Sequence, residues 1–185
     1  MDTEIGNFKK ILLVEDDPRD VELTLAALEE YHLANKVAVV CDGAEALDYL
    51  YRRGKFKTRA DGNPILVLLD LKMPKVNGLE VLKIVKADEH LKIIPIVVLT
   101  SSRETPDLIE CYKHGVNAYV VKPVDFSEFM QAVKQLGVFW AAVNEPPPQT
   151  GREETSIQSG KATKEEVEIC SGPHPKRPVS HHVIH

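Results

Sequence analysis

The sequence has no apolar run that approaches the roughly 18 residues of a membrane-spanning helix, and its amino terminus has no apolar signal-peptide core. A large excess of one charge is also missing. The formal net charge of -5 gives no general electrostatic reason for binding nucleic acid or an anionic membrane surface. Three widely spaced cysteines indicate neither a disulfide framework nor a Cys-x-x-Cys metal site. We therefore expect a cytoplasmic protein with small or protein partners, and with no nucleic acid or membrane among them.

Five short apolar runs rich in β-branched residues are typical of buried strands. They cover residues 11–15, 37–41, 65–70, 96–100 and 118–121. Segments with helical apolar spacing lie between them, and a longer one follows the last run. Asp17 followed by Pro18 supplies an N-cap and a first-turn proline for the first helix. This strict alternation predicts an α/β fold with a doubly wound, five-stranded parallel sheet.

The fourth and fifth helices are predicted from apolar residues at steps of three and four. Leu108, Ile109 and Tyr112 mark the fourth helix. The expected core-facing stripe of the fifth helix, from 126 to 144, comprises Phe126, Phe129, Val133, Leu136, Trp140 and Val143.

Two polar segments complete the predicted organisation of the chain. The turn-rich segment from Gly54 to Pro64 predicts an exposed loop before the third strand. A proline run after Asn144 cannot extend the last helix. We therefore expect one domain over residues 1–148, with an extended fifth helix, and a disordered tail over 149–185.

Acidic, hydroxyl and basic side chains follow different predicted strands. In an open α/β sheet, functional sites form beyond the carboxyl ends of the strands. Glu15 and Asp16 follow strand 1, Asp70 ends strand 3, Thr100 ends strand 4 and Lys122 follows strand 5. Clustered carboxylates repel each other unless a cation lies between them, and Mg²⁺ suits oxygen ligands completed by a phosphate. The sequence thus predicts a Mg²⁺ site with a lysine and a hydroxyl near the phosphate.

Four motifs in the right order resemble those of response-regulator receiver domains, over roughly residues 8 to 145. They are Glu15-Asp16, the stretch DLKMPKVNG from Asp70 to Gly78, Thr100-Ser101 and Lys122-Pro123. The resemblance implies a flavodoxin-like (β/α)5 receiver with strand order 2-1-3-4-5.

The same resemblance assigns roles to individual residues. Asp70 is expected to be the nucleophile that accepts a phosphoryl group from a histidine kinase. Asp16 is expected to bind Mg²⁺ directly, Glu15 to act through a water, and the Lys72 backbone carbonyl to be a further ligand. Lys122 is expected to contact the phosphoryl oxygens.

A conformational switch is implied as well. Thr100 is expected to move toward the phosphate, and Tyr119 to change its rotamer with it. The peptide before Pro123 is expected to be cis. Such a protein is a phosphoacceptor that catalyses at most its own phosphotransfer and dephosphorylation, and not an enzyme that acts on other substrates.

Two segments toward the carboxyl end, CYKHGVNAYVVKPVDF and LGVFWAAVNEPPP, resemble the small response regulators paired with bacterial and cyanobacterial phytochromes. The implied partners are a phytochrome-like sensor histidine kinase and an unidentified downstream protein. Two other classes of protein are the alternatives. A haloacid-dehalogenase-type phosphatase would need Asp where this chain has Glu15, and a DNA-binding transcription factor would need more chain after the receiver.

The last helix predicts a homodimer through helix 4, strand 5 and helix 5. Val138 and Phe139 lie off the core-facing stripe and would meet water in a monomer. Gly137 in a helix interior suggests that another backbone approaches closely there. The expected interface contains Val138, Phe139 and Trp140; the alternative is that Phe139 packs under Pro146 to Pro148.

Overall fold

The structure is a computed structural model that describes residues 10–145, with the exception of Tyr31. The predicted tail over 149–185 and the segment from Pro146 to Pro148 lie outside the described residues. Within the described part of the chain, no helix is both long and apolar enough to cross a membrane.

Five parallel strands form one sheet in the order β2-β1-β3-β4-β5. They are β1 Ile11–Val14, β2 Val37–Val40, β3 Leu66–Leu69, β4 Ile96–Thr100 and β5 Ala118–Val121. The three central strands are fully buried, whereas the edge strands β2 and β5 are mostly half-buried. This explains why the strand segments carry apolar residues at every position instead of alternating. The predicted fold class and strand order are confirmed.

Helices cover both faces of the sheet. They are α1 Pro18–Glu29, α2 Gly43–Tyr51, α3 Gly78–Ala87, α4 Thr105–Lys113 and α5 Phe126–Val138. Short 3-10 turns cover Ala34–Lys36 and Gly54–Phe56, and a π-helical turn covers Phe139–Val143. The apolar residues of α1 and α5 pack on one face, while those of α2, α3 and α4 pack on the other.

Side-chain caps fix where the helices begin. Asp17 accepts a hydrogen bond from the Arg19 N–H, and Pro18 begins α1, as predicted. Asn77 and Glu80 form a reciprocal capping box at the start of α3. These caps begin α1 and α3 just beyond the carboxyl ends of β1 and β3, where the predicted functional residues lie.

The predicted core stripe of α5 is wrong at both ends. Phe129 and Val133 are buried, but Phe126 is 57% exposed and Val143 is 66% exposed. Phe126 is the first residue of α5 and precedes the buried Phe129. Val143 is the last residue of the π-helical turn, whose wider winding changes the direction of its side chain. The apolar residues that predicted α4 also face solvent: Ile109 and Tyr112 are exposed, and Cys111 is the buried residue of that helix.

Gly137 is explained within the chain itself, which corrects its expected role. A Cβ at this position would lie 2.5 Å from Leu28 Cδ2 and 3.3 Å from Leu33 Cδ1. The close neighbour is therefore α1 and its following segment, not the backbone of a second copy. Glycine allows α5 to pack directly against α1.

The segment from Gly54 to Pro64 is more structured than the predicted exposed loop. The Arg59 side chain is only 7% exposed, and its guanidinium lies 4.1 Å from the centroid of the Tyr49 ring. It also donates hydrogen bonds to the carbonyls of Asp61 and Gly62. The sequence suggested a solvated side chain because Arg is usually exposed. Here the guanidinium stacks on an aromatic ring and donates hydrogen bonds to carbonyl oxygens instead.

Candidate functional site

Three carboxylates meet at the carboxyl edge of the sheet. Glu15 and Asp70 follow the adjacent strands β1 and β3, and each continues the backbone hydrogen bonding of its strand. One oxygen of each of Glu15, Asp16 and Asp70 lies within 4.8 Å of the other two. Glu15 is 2% and Asp70 7% exposed, so two of these acids are buried. The strand order places them at the switch point of the sheet, where ligands bind in such folds.

Lys122 is the cation that the described residues bring to this cluster. Its Nζ lies 2.6 Å from Glu15 Oε2, 2.6 Å from Asp20 Oδ2 and 3.7 Å from Asp70 Oδ2. The lysine side chain is 10% exposed, and its own backbone N–H bonds to the Thr100 carbonyl at 2.7 Å. The ammonium is therefore held between β1, α1 and β3 at low exposure.

Burial and charge shift the pKa values of this cluster. Burial raises the pKa of Glu15 from 4.5 to about 7, although Lys122 opposes the shift. Burial, and then the neighbouring charge of Asp70, raise the pKa of Asp16. For Lys122, burial acts to lower the pKa, but Glu15, Asp70 and Asp20 together raise it above its usual value. The site therefore keeps a charged lysine beside acids that are costly to ionise together.

The loop after β3 holds the Asp70 carboxylate in place. Asp70 Oδ1 accepts a hydrogen bond from the Leu71 N–H at 2.7 Å, with the Lys72 N–H at 3.5 Å. The start of α3 packs closely against this loop. A Cβ added to Gly78 would lie only 2.0 Å from the Asp70 carbonyl oxygen. A glycine is thus required for the close approach that fixes the loop.

The predicted switch residues lie along β4 and β5. Thr100 is fully buried, and its Oγ1 accepts a hydrogen bond from the Ser102 N–H at 3.2 Å. The Tyr119 hydroxyl donates to the Ser102 carbonyl at 3.1 Å, and burial raises its pKa. Ser102 thus connects the two residues, a link that the sequence reasoning did not identify.

Most of the predicted site residues come together, but not all of the expectations hold. Asp20, which sequence reasoning missed, contacts Lys122 as closely as Glu15 does. The side chain of Lys72 is exposed and pairs with Glu104 at 3.3 Å, so only its backbone remains a candidate ligand. The described residues contain no cis peptide bond, so the expected cis peptide before Pro123 is wrong.

The donor set fits a hard divalent cation. Glu15, Asp16 and Asp70 supply carboxylate oxygens in one small volume, and no sulfur or imidazole is part of the group. Such oxygen donors suit Mg²⁺ or Mn²⁺. A bound cation would also offset the mutual repulsion of the three acids.

The sequence model of the family named response regulator receiver domain matches residues 11–134. The chain belongs to this family, whose receiver domains are phosphoacceptors in two-component signalling. This matched range covers the five strands, the carboxylate cluster and Lys122.

Phytochrome response regulators are among the relatives. Response regulator Rcp1 of Synechocystis is 35% identical over 140 residues, which are 76% of this chain and 94% of that protein. The phosphorylated cyanobacterial phytochrome response regulator RcpA has 39% identity and a TM-score of 0.71, with 76% of this chain and 99% of that chain covered.

A bacteriophytochrome response regulator and a metal-bound relative extend the comparison. The response regulator AtBRR has 60% identity and a TM-score of 0.60, with 75% of this chain and 99% of that chain covered. One solved form of Rcp1 is bound to Mn²⁺; it has 34% identity, a TM-score of 0.71, and coverage of 76% of this chain and 99% of that chain. With the acidic cluster, this similarity supports a divalent metal site.

Proposed function

We propose that this response regulator accepts a phosphoryl group on Asp70 from a sensor histidine kinase and signals through protein contacts. One observation carries the proposal. The Asp70 carboxylate is shared by the candidate metal cluster and by Lys122, whose Nζ lies 3.7 Å away. Phosphoryl transfer asks a protein mainly for positioning and charge neutralisation, and this arrangement offers both.

The chain's own residues would act as follows. In the transfer, the P–N bond of the kinase phosphohistidine breaks as an O–P bond forms to Asp70, and the departing imidazole keeps the electron pair. The Leu71 N–H holds one Asp70 oxygen, which orients the carboxylate for attack. Lys122 donates to the phosphoryl oxygens and offsets their charge.

Mg²⁺ is the proposed physiological cation. Asp16 and Asp70 would hold it directly, Glu15 through a water, and the Lys72 carbonyl would complete the protein's share. When bound, it supplies charge neutralisation to the phosphoryl oxygens. The buried Glu15 then serves both the cation and Lys122, which explains a carboxylate at this depth.

Thr100 and Tyr119 are the proposed switch. Both connect to Ser102, Thr100 through its hydroxyl oxygen and Tyr119 through its hydroxyl group. A movement of Thr100 toward a phosphoryl group would break its bond to the Ser102 N–H and disturb the carbonyl partner of Tyr119. This gives a direct route from the phosphate to the half-buried edge strand β5.

Phosphorylation by a small donor tests the site. With Mg²⁺ and acetyl phosphate, the wild-type chain should gain one phosphoryl group, read by intact-protein mass spectrometry. Asp70→Asn and Asp16→Ala should remain unlabelled, because one lacks the nucleophile and the other a metal ligand. Undiminished labelling of Asp70→Asn would contradict the assignment, and circular dichroism of both variants should match the wild type.

The proposed kinase is phytochrome-like. The support is the similarity to RcpA, described as a phytochrome response regulator, and to AtBRR, described as a bacteriophytochrome response regulator. Transfer from autophosphorylated candidate kinases should favour a bacteriophytochrome over unrelated kinases, with Asp70→Asn as the control. Faster transfer from an unrelated kinase would contradict this partner.

We also propose that residues 1–148 act as a single receiver without a DNA-binding output. We propose further that the chain forms a homodimer through α4, β5 and α5. Exposed Ile109 and Tyr112 on α4 and exposed Phe139 after α5 support the dimer. Val138 and Trp140 are half-buried, so they would contribute less to the interface than Phe139. The alternative cover for Phe139, from Pro146 to Pro148, lies outside the described residues.

A further inference from the structure

The ammonium of Lys122 has a partner that the proposed phosphorylation chemistry does not use. Its three N–H donors are shared among carboxylates. Glu15 and Asp20 each have an oxygen 2.6 Å from Nζ, whereas Asp70 Oδ2 is 3.7 Å away. In this structure the lysine is therefore bonded to Glu15 and Asp20, and only close to the phosphoacceptor.

Asp20 reaches the lysine from α1. It is the third residue of this helix, whose start is fixed by the Asp17 cap and Pro18. Its side chain is 32% exposed, in contrast to the 3% of Glu15 and the 9% of Asp70. Among the described residues, the group of acids close enough to share a metal contains Glu15, Asp16 and Asp70 but not Asp20.

A phosphoryl group on Asp70 would change this balance. It would bring a charge of about −2 and three acceptor oxygens to the space beside Lys122. Asp20 and the phosphoryl group would then be two anions at one ammonium, where they repel each other and share its donors. A metal held by the cluster would leave this competition in place, because Asp20 is not among the acids close enough together to share the metal.

We propose that Asp20 is a positioning residue that holds Lys122 in the unphosphorylated site and competes with the phosphoryl group of Asp70 for its ammonium. The inference rests on the proposed phosphorylation of Asp70 and adds a restraint on it. Asp20 therefore disfavours the phosphorylated state. Glu15, the other close partner of Lys122, keeps the lysine charged and in place.

The affinity for beryllofluoride, a mimic of the phosphoryl group, tests the competition in the full-length chain. Asp20→Asn keeps the size of the side chain and an acceptor oxygen, but it removes the charge. At saturating Mg²⁺ and low salt, this variant should bind beryllofluoride about three- to tenfold more tightly than the wild type. The difference should shrink as salt is raised, because the repulsion is electrostatic.

Glu22→Gln is the matched control. Glu22 is an exposed acid on the same helix, so this variant has the same change in net charge near the start of α1. Its beryllofluoride affinity should equal that of the wild type. Equal tightening in both variants would overturn the proposal, since the effect would then come from overall charge.

Two failures can be distinguished in the same titrations. If the wild type binds beryllofluoride and Asp70→Asn does not, the proposed function stands. An Asp20→Asn affinity equal to or weaker than that of the wild type then overturns the competition alone. If the wild type shows no Asp70-dependent binding, both the proposed function and the inference fall.

Discussion

Two regions of the molecule depart in opposite ways from ordinary burial. At the carboxyl edge of the sheet, Glu15, Asp70 and Lys122 are ionisable groups at low exposure. After α5, Phe139 and Val143 are large apolar side chains that are 48% and 66% exposed. Buried charge is costly unless it is paired, and exposed apolar surface often marks a contact with another molecule. Both departures point to function, but to different kinds of partner.

The two regions also differ in how firmly the fold holds them. The edge cluster is supported from several elements: β1 and β3 continue through Glu15 and Asp70, and α3 presses on the loop after β3 through Gly78. The π-helical turn after α5 lies at the end of the described chain and has no buried residue. We therefore expect changes near the edge cluster to affect folding and phosphorylation, and changes after α5 to affect association.

The largest effect is expected from Gly78→Ala. The new Cβ would lie 2.0 Å from the Asp70 carbonyl oxygen and 2.8 Å from Leu71 Cα, so the backbone of the phosphoacceptor loop must move. We expect a loss of about 3 kcal/mol in the free energy of unfolding, at the upper end of the usual cost of overpacking. Acetyl phosphate labelling should also fall sharply. Urea unfolding and mass spectrometry measure the two effects.

Gly115→Ala is the control for glycine replacement. Gly115 has a φ of +79°, but among the described residues no atom beyond its two chain neighbours lies within 4 Å of its added Cβ. The cost should be about 1 kcal/mol, from the left-handed backbone alone, with labelling unchanged. Equal losses in both variants would show that the close approach at Gly78 does not hold the phosphoacceptor loop.

The sequence predicted the edge cluster better than the surface after α5, for a physical reason. Strand ends are set by short apolar runs, and the sheet then brings Glu15, Asp70 and Lys122 to one edge whatever the loops do. Asp20 gave no such signal, because an acid in the first turn of a helix is common for its interaction with the helix dipole alone. Only the structure shows its contact with Lys122.

Helical periodicity could not predict which ends of α5 leave the core. It identified Phe129 and Val133 correctly, and both are buried. It could not show that Phe126, the first residue of the helix, would be exposed. Nor could it show that a π-helical turn would change the direction of the Val143 side chain. The same limit applies to α4, where the spacing that predicted the helix belongs to exposed Ile109 and Tyr112.

The next effect is on stability alone, through its pH dependence without metal. The pKa of Glu15 is about 7 in the folded chain, against 4.5 as its ordinary value. Between these values the folded chain binds a proton that the unfolded chain has lost. Stability should therefore fall as pH rises from about 4.5 to about 7, by up to about 3 kcal/mol.

Glu15→Gln isolates this contribution. Urea unfolding in EDTA should show a decline over this pH range for the wild type, and a flatter profile for the variant. Mg²⁺ should also flatten the wild-type profile, because a bound cation favours the ionised carboxylate. Wild-type stability that rises steadily from pH 5 to 7 in EDTA would contradict the raised pKa.

The smallest effect on the site itself is expected from Phe139→Glu, which tests the opposite region of the comparison. Phe139 is 48% exposed and contacts the Trp140 ring edge to face, with centroids 5.2 Å apart. A buried charge at a dimer contact is costly, so the variant should sediment as a monomer where the wild type sediments as a dimer, with Asp70 labelling unchanged. Ile84→Glu, on exposed apolar surface of α3, should leave the dimer intact. A wild type that stays monomeric at tens of micromolar, phosphorylated or not, would reject the dimer and favour an intramolecular cover for Phe139.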